Sequence, residues 1–212
     1  MNMTSPARKF KRSAVKNIVR FPAIKANGGK TILVESILES KYCLHLEFDP
    51  NVATYFPQPK TFKIPDEDEE TTYKPNFEVH YVSGIRSYVG VKSLERASTF
   101  HLQQLFARFE STLQYPNVNF LVVDELEIFQ QPLLSNYEKL YQYRKRPSLD
   151  MRNLHHCAAG IKVSMPLSRL VAKLGDRASL REIYSWLALG YLSFDMSTEQ
   201  LTMMTEVKFH VG

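Results

Sequence analysis

The sequence predicts an α/β protein with a smaller second domain at its C-terminal end. Two apolar stripes at helical spacing enclose a section rich in strand-forming residues. A short apolar run closes that section, and residues 166–212 change to short amphipathic helices followed by a hairpin pattern. The 212 residues, 44% of them hydrophobic, are enough for one or two domains with a buried core.

The first part is predicted to run helix, three strands, helix, strand. These elements are expected at residues 31–48, 61–64, 77–82, 86–91, 94–113 and 118–123. Pro50 ends the first helix because proline disfavours helix in the residue before it. The acidic run at 66–70 holds no apolar residue and is expected to be a loop insertion.

The hairpin that joins residues 77–82 to 86–91 decides whether Asn76 and Lys92 meet. Directly opposed residues of an antiparallel pair point to one face, and Asn76 opposes Lys92 when the turn is centred on Gly84. A loop of Ser83, Gly84 and Ile85 would satisfy this condition. A two-residue loop would turn Lys92 to the other face unless a bulge intervened.

The C-terminal part predicts a winged helix-turn-helix. A short helix closes at Gly175, and Ser179 and Glu182 have capping-box spacing at the start of a second helix that ends at Gly190. Two segments with a hairpin pattern follow. Arg181 lies early in the second helix, where a recognition helix presents side chains to DNA; the same surface packs on protein in many such domains.

The basic charge is concentrated in residues 1–30, which hold eight lysines and arginines and no acid, so the remainder of the chain is slightly acidic. Such an arm is suited to contacting phosphates, although a solubilising tail would have the same composition. The residues expected to contact DNA are Arg8, Lys9, Lys11, Arg12, Lys16, Arg20 and Arg181.

Several classes of function are disfavoured by the sequence. It contains neither an apolar run of about 18 residues, as a membrane span needs, nor a signal-peptide core, which predicts a cytoplasmic protein with no membrane partner. Cys43 and Cys157 are too few for a disulfide framework and are expected to be buried thiols. The run of His155, His156 and Cys157 lacks a second ligand pair at zinc-site spacing and is expected to be structural or exposed.

The predicted order of elements resembles the core of the restriction-endonuclease-like, or PD-(D/E)xK, superfamily. In that superfamily a helix contributes Glu, a strand Asp, and the next strand an acid or amide, one spacer and Lys. The matching segments here are Glu35-Ser36-Ile37-Leu38-Glu39, Tyr73-Lys74-Pro75-Asn76-Phe77 and Val89-Gly90-Val91-Lys92-Ser93. Carboxylates of such a site hold a hard cation, normally Mg²⁺.

More specifically, the chain resembles the TnsA subunit of heteromeric cut-and-paste transposases, including those of CRISPR-associated transposons. The resemblance spans nearly the whole chain. It includes the basic opening with Val15-Lys16-Asn17-Ile18, the Glu-Ser-x-Leu-Glu segment ending in Leu46-Glu47-Phe48-Asp49, the Gln58-Pro59 pair, the Tyr-x-Pro-Asn-Phe and Val-Lys strands, and the Leu-x-x-Gly-x-Leu-x-x-Asp pattern around Gly190.

The resemblance implies an endonuclease that cuts the non-transferred 5′ strand at transposon ends. Its cofactor would be Mg²⁺, with Mn²⁺ able to substitute, and its partners would be double-stranded DNA, the transposase TnsB and the AAA+ regulator TnsC. It also implies a bacterial, nucleoid-associated location. By the same resemblance Glu39 would be a metal ligand, Asn76 would occupy the Asp position, Lys92 would be the catalytic lysine, and the main-chain oxygen of Val91 would bind the metal.

Two positions depart from the pattern. Asn76 stands in place of Asp, which leaves a neutral oxygen, and Gly90 stands where an acid or amide is expected. Either an inactivating Asp-to-Asn change was introduced at position 76, or the chain is a natural variant that kept an assembly role. Glu78, predicted on the same strand face as Asn76, is a candidate for a displaced carboxylate.

The resulting organisation is a basic arm at 1–30, a nuclease domain at 31–130, a linker at 131–165 and a winged-helix domain at 166–212. The expected function is Mg²⁺-dependent cleavage of DNA within a transposase. The alternatives are a catalytically impaired assembly and DNA-binding subunit of the same complex, and a free-standing restriction-type nuclease.

Overall fold

The computed structural model describes residues 18–64, 71–113 and 115–210. The protein is mixed α/β, and its described residues form two compact units that divide between Phe129 and Gln130. The predicted DNA contacts of Arg8, Lys9, Lys11, Arg12 and Lys16 lie outside the described residues.

The first unit is built on a mixed sheet of four strands. Its elements are β1 (Val19–Pro22), a 3₁₀ turn (Asn27–Gly29), β2 (Thr31–Val34), α1 (Ile37–Phe48), β3 (Val52–Pro57), β4 (Phe62–Ile64), β5 (Thr71–Tyr73), β6 (Phe77–Tyr81), β7 (Arg86–Val91), α2 (Leu94–Ala97), α3 (Phe100–Thr112), β8 (Val118–Val123) and α4 (Glu125–Ile128). The sheet order is β3-β6-β7-β8, antiparallel except for the parallel pair β7–β8. Strands β1 and β2 form one ribbon, and β4 and β5 form another.

The prediction of one helix over residues 31–48 is wrong in its first part. Thr31–Val34 is a strand that pairs with β1, and its residues alternate between exposed and buried. Ser36 then begins the helix, because its side chain accepts a hydrogen bond from the backbone N–H of Glu39. The alternation is too short to separate from a helical stripe by sequence pattern alone.

The predicted set of three strands also needs correction. The strand expected at 61–64 exists as β4, but it pairs with β5 and not with the central sheet. The fourth strand of the sheet is β3, which the sequence pattern did not predict. Its register against β6 shifts between Val52 and Thr54, so its buried residues do not alternate regularly. The strand over Val118–Val123 is confirmed.

The β6–β7 hairpin turns one residue earlier than expected. Phe77 opposes Val89, and the backbone N–H of Tyr81 donates to the carbonyl of Ile85 at 2.9 Å, which centres the turn on Ser83. Gly84 ends this loop with φ +84°, a conformation that favours glycine. The change of centre moves the register by two residues, and a shift of two keeps every side chain on its face.

An aromatic cluster packs between the sheet and α3. Tyr73, Phe106, Phe109 and Phe120 are all buried, and their rings meet mostly edge to face with centroids 4.8–5.7 Å apart. Such contacts add to the burial of large apolar surfaces. The cluster covers the face of β7 that carries Gly90.

The second unit combines helices with a three-stranded sheet. Its elements are α5 (Leu133–Lys145), α6 (Met151–Ala159), β9 (Met165–Pro166), α7 (Leu167–Leu174), a 3₁₀ turn (Gly175–Arg177), α8 (Leu180–Leu189), β10 (Leu192–Ser193) and β11 (Glu206–Phe209). The sheet order is β10-β11-β9, with both pairs antiparallel. The predicted helix ends at Gly175 and Gly190 and the capping box of Ser179 and Glu182 are confirmed.

Residues 131–165, predicted to be a linker, contain two helices. The structure places α5 and α6 there, inside the second compact unit. Leu140 is fully buried, and Arg144 donates to the carbonyl of Ala188 in α8 at 2.8 Å. This packing surface was not predicted, because many polar residues lie between the apolar positions of α5.

In the described part of the chain, no helix has the length and apolar character needed to cross a membrane.

Candidate functional site

Three predicted site residues converge from separate elements of the first unit. Glu39 lies in the first turn of α1, Asn76 directly precedes β6, and Lys92 directly follows β7. The side-chain amide nitrogen of Asn76 lies 2.9 Å from Glu39 Oε1, and its amide oxygen lies 2.9 Å from Lys92 Nζ. Lys92 Nζ also donates to the main-chain oxygen of Val91 at 3.1 Å.

The amide of Asn76 uses both of its ends. Its Oδ1 accepts from Lys92 and from the backbone N–H of Val91 at 2.9 Å, while its Nδ2 donates to Glu39. An ionised aspartate has no donor, so it could not make the bond to Glu39. The contact pattern is therefore suited to Asn and not to Asp.

Glu39 is a buried carboxylate held by local hydrogen bonds. It is 5% exposed, and its oxygens accept from the backbone N–H of Glu35 at 3.0 Å and from the Ser36 hydroxyl at 3.3 Å. Burial raises the pKa of Glu39, and the neighbouring charge of Glu35 acts in the same direction. The local bonds fix the direction in which this carboxylate faces Asn76.

Lys92 is a partly desolvated ammonium. Burial lowers its pKa, and Arg96 adds to this, whereas Glu39 and Glu35 oppose it. Its Nζ lies within hydrogen-bond distance of both Asn76 Oδ1 and Val91 O, two of the oxygens that the resemblance assigns to a metal. The ammonium therefore holds those two oxygens in this arrangement.

Tyr73 fills the space that a side chain at position 90 would need. A Cβ placed on Gly90 would lie 2.6 Å from the Tyr73 hydroxyl, closer than real Cβ contacts come. The Tyr73 hydroxyl is buried and has no hydrogen-bond partner among the described residues, and burial raises the pKa of Tyr73, so it is a neutral O–H. Position 90 therefore has neither a ligand nor room for one.

The residues present do not fit Mg²⁺. Mg²⁺ prefers carboxylate oxygens in octahedral geometry. The three residues offer one carboxylate, Glu39, with an amide oxygen and a carbonyl oxygen that both contact an ammonium. Within residues 18–64, 71–113 and 115–210, no group of three or more His, Cys, Asp or Glu side chains could hold a metal.

The Glu78 carboxylate contacts other residues of β6 and β7. Its Oε1 lies 2.7 Å from His80 Nε2 and 3.9 Å from Arg86 Nη1. Glu78 opposes Tyr88 in the sheet, and its contacts point along β6 and β7 toward the turn. The Glu78 carboxylate is engaged with His80 and Arg86, and its interpretation as a displaced carboxylate for Asn76 stays a prediction.

Two of the residues expected to contact DNA are described. Arg20 is exposed on β1 of the first unit. Arg181 is exposed in the first turn of α8 in the second unit, where its guanidinium donates to the carbonyl of Arg146 at 3.2 Å. Both side chains are accessible to solvent, and DNA contact by either stays a prediction.

The His155-His156-Cys157 run lies on α6. His155 and His156 are exposed, whereas Cys157 is a buried free thiol whose sulfur lies 3.6 Å from Asn153 Oδ1. Cys43 is also buried and free, and burial raises its pKa well above the ordinary value. Both cysteines are placed as predicted.

Two polar residues beside the site were not predicted. Gln58 is 4% exposed, has φ +50°, and its backbone N–H donates to the carbonyl of Asn76 at 2.8 Å. Lys74 Nζ lies 3.5 Å from Gln58 Oε1. The Gln58-Pro59 pair was the available sequence signal, but nothing in the pattern indicates a positive φ at Gln58.

A scan against protein-family models and a search of curated proteins both give no match to this chain. Support for a function therefore comes from the geometry of the site and from the sequence motifs.

Proposed function

We propose that this chain is the DNA endonuclease-type subunit of a heteromeric transposase of the TnsA kind, in a catalytically impaired form. Its activity class is Mg²⁺-dependent hydrolysis of the non-transferred 5′ strand at transposon ends, with TnsB and TnsC as partners. The first unit has the role of a PD-(D/E)xK nuclease domain, and residues 166–212 that of a winged-helix domain.

The convergence of Glu39, Asn76 and Lys92 carries this proposal. The three residues are far apart in sequence and come from a helix, a strand start and a strand end, yet they share hydrogen bonds of 2.9 Å. They also lie beside the backbone of Val91, as the motif order predicts. A lysine with a lowered pKa beside a buried carboxylate is typical of functional sites.

The proposed roles follow from these environments. The Lys92 ammonium is positioned to attract a phosphate oxygen, because a partly desolvated cation interacts more strongly with an anion than an exposed one does. Glu39 is held in a fixed direction by its bonds to Ser36 and Glu35. Asn76 joins these two groups, so a cut strand would be bound next to all three.

A second candidate is supported by Asn76 and Gly90. Asn76 places a neutral amide where the motif has a carboxylate, and Tyr73 occupies the space that a side chain at position 90 would need. These two features favour an assembly and DNA-binding subunit of the same complex that does not cut. The charge of the basic arm would then bind DNA without cleavage.

Strand-specific nicking of transposon-end DNA tests the proposal. The reaction contains TnsB and Mg²⁺, and it compares the chain as it stands with Asn76→Asp and with Asn76→Asp plus Lys92→Ala. We expect Asn76→Asp to cut the 5′ strand and the double variant to lose cutting. Asn119→Asp is the matched control, because Asn119 is exposed on β8 and away from the three residues.

The possible results separate the two candidates. Equal cutting by the unchanged chain contradicts the impaired form. Absence of cutting by every variant, with DNA binding intact, contradicts the nuclease proposal and supports the assembly subunit. Cutting by Asn119→Asp alone contradicts the assignment of the site.

A further inference from the structure

Gln58 has two properties that are uncommon in a residue that only packs in the protein interior. It is a non-glycine residue with φ +50°, and its buried side-chain nitrogen Nε2 has no hydrogen-bond partner within the described part of the chain. Backbone conformations of this kind cluster at functional sites, and a buried donor without a partner in a folded protein calls for a specific explanation. The residue lies at the end of β3, where its backbone N–H bonds to the carbonyl of Asn76.

The side chain of Gln58 also contacts a lysine. Gln58 Oε1 accepts from Lys74 Nζ at 3.5 Å, a long hydrogen bond. Lys74 precedes the buried Pro75, and a residue before proline is restricted to extended backbone. Two residues further along lies Asn76, so the extended chain places Lys74 about 6.6 Å from Asn76 along the strand direction.

Two lysines are therefore linked to Asn76 from opposite sides. The backbone carbonyl of Asn76 is bonded toward β3, where Gln58 contacts Lys74, and its backbone N–H is bonded toward β7 at the carbonyl of Val89. Lys92 contacts the Asn76 side chain from the β7 side. At Gln58 an acceptor is missing, because none of the described residues accepts from its Nε2 donor.

We propose that Lys74, positioned by Gln58, binds a backbone phosphate of DNA next to the phosphate held at Lys92. The ligand class is a phosphodiester, whose oxygens accept from the Lys74 ammonium. Lys74 makes the contact, and Gln58 is a positioning residue. The inference rests on the proposed function, since it assumes that DNA is bound at this site.

Salt-dependent binding of a labelled duplex without divalent cations tests this inference on the full chain. Each neutralised phosphate contributes about 0.9 to the slope of log affinity against log salt concentration. We expect Lys74→Met to lower the slope by about one and to weaken binding to all sequences alike. Lys60→Met is the matched control, because Lys60 is exposed nearby and its ammonium lies over the Phe62 ring; it should leave the slope unchanged.

Gln58→Gly separates positioning from folding. Glycine accepts a positive φ and removes the unpaired amide, so the melting temperature should be unchanged or higher. Binding should weaken, and the effect should not add to that of Lys74→Met, because both changes remove one interaction.

The outcomes distinguish this inference from the proposed function. If the unchanged chain binds DNA with a clear salt slope that Lys74→Met does not alter, the Lys74 contact is overturned and the proposed function stands. An equal loss for Lys60→Met, or additive losses for Gln58→Gly and Lys74→Met, also overturns it. If the unchanged chain shows no salt-dependent binding, both fail.

Discussion

Asn76 donates a hydrogen bond from Nδ2 to Glu39 Oε1 at 2.9 Å. At the same time its Oδ1 accepts from Lys92. The amide thus joins a buried acid directly to a partly buried base. Buried polar groups that are mutually bonded avoid the cost of an unpaired partner.

This network predicts that Asn76→Asp destabilises the fold when divalent cations are absent. The change removes the donor and places two carboxylates within hydrogen-bond distance of each other. The new ion pair with Lys92 offsets part of the loss. We expect the free energy of unfolding to fall by about 1–2 kcal/mol in the presence of a chelator, measured by urea denaturation. Unchanged stability would contradict the role of the amide donor.

Gly90→Ala tests the contact with Tyr73. The added Cβ would lie 2.6 Å from the Tyr73 hydroxyl, and overpacking of this kind costs about 1–3 kcal/mol. Tyr73→Phe alone should be neutral or stabilising, because no described residue bonds to the hydroxyl. In the double variant most of the lost stability should be recovered, as a double-mutant cycle by thermal or urea denaturation would show. Strictly additive effects would mean that the two residues do not compete for this space.

Glu47 is predicted to be essential for the stability of the first unit. It is fully buried in α1, and its carboxylate accepts from the backbone N–H groups of Ile24 and Lys25 and from the Tyr55 hydroxyl. Glu47→Gln replaces an acceptor by a donor that faces other donors. We expect a loss of about 2–4 kcal/mol by urea denaturation, against little change for Glu95→Gln at an exposed position. Equal stability of the two variants would rule out this role for Glu47.

The capping box of α8 predicts a pH dependence. Hydrogen bonds from the backbone and side chain of Ser179 lower the pKa of Glu182 below its ordinary 4.5. A lowered pKa stabilises the fold above the unfolded-state value, and that contribution is lost as the pH falls through the folded-state pKa. The unchanged chain should therefore be more stable than Glu182→Gln at pH 7, with a difference that shrinks below pH 4.5. Urea denaturation across this pH range measures it, and a difference that grows in acid would contradict the assignment.

The ends of the C-terminal helices were more predictable than the pairing of the strands. The ends of α7 and α8 were predictable because Gly175, Ser179 and Gly190 act locally through capping. The strand β3 depends on its pairing with β6, which lies beyond two intervening strands, and no local pattern encodes it.

The same distinction applies to the site. The resemblance to the nuclease motif implied that Glu39, Asn76 and Lys92 lie together, and the structure places them in contact. The roles of Gln58 and Tyr73 could not be predicted, because they depend on a positive φ and on the space above Gly90. Which side chain occupies a given space depends on how the folded chain packs, and the sequence alone does not show this.

Position 76 is expected to decide whether this site holds a divalent cation. Isothermal titration calorimetry with Mg²⁺ and Mn²⁺ tests this dependence without DNA or partner proteins. We expect no binding at the site in the unchanged chain, and binding in Asn76→Asp that Glu39→Gln abolishes. Equal cation binding by the unchanged chain and Asn76→Asp, lost in both on Glu39→Gln, would contradict it.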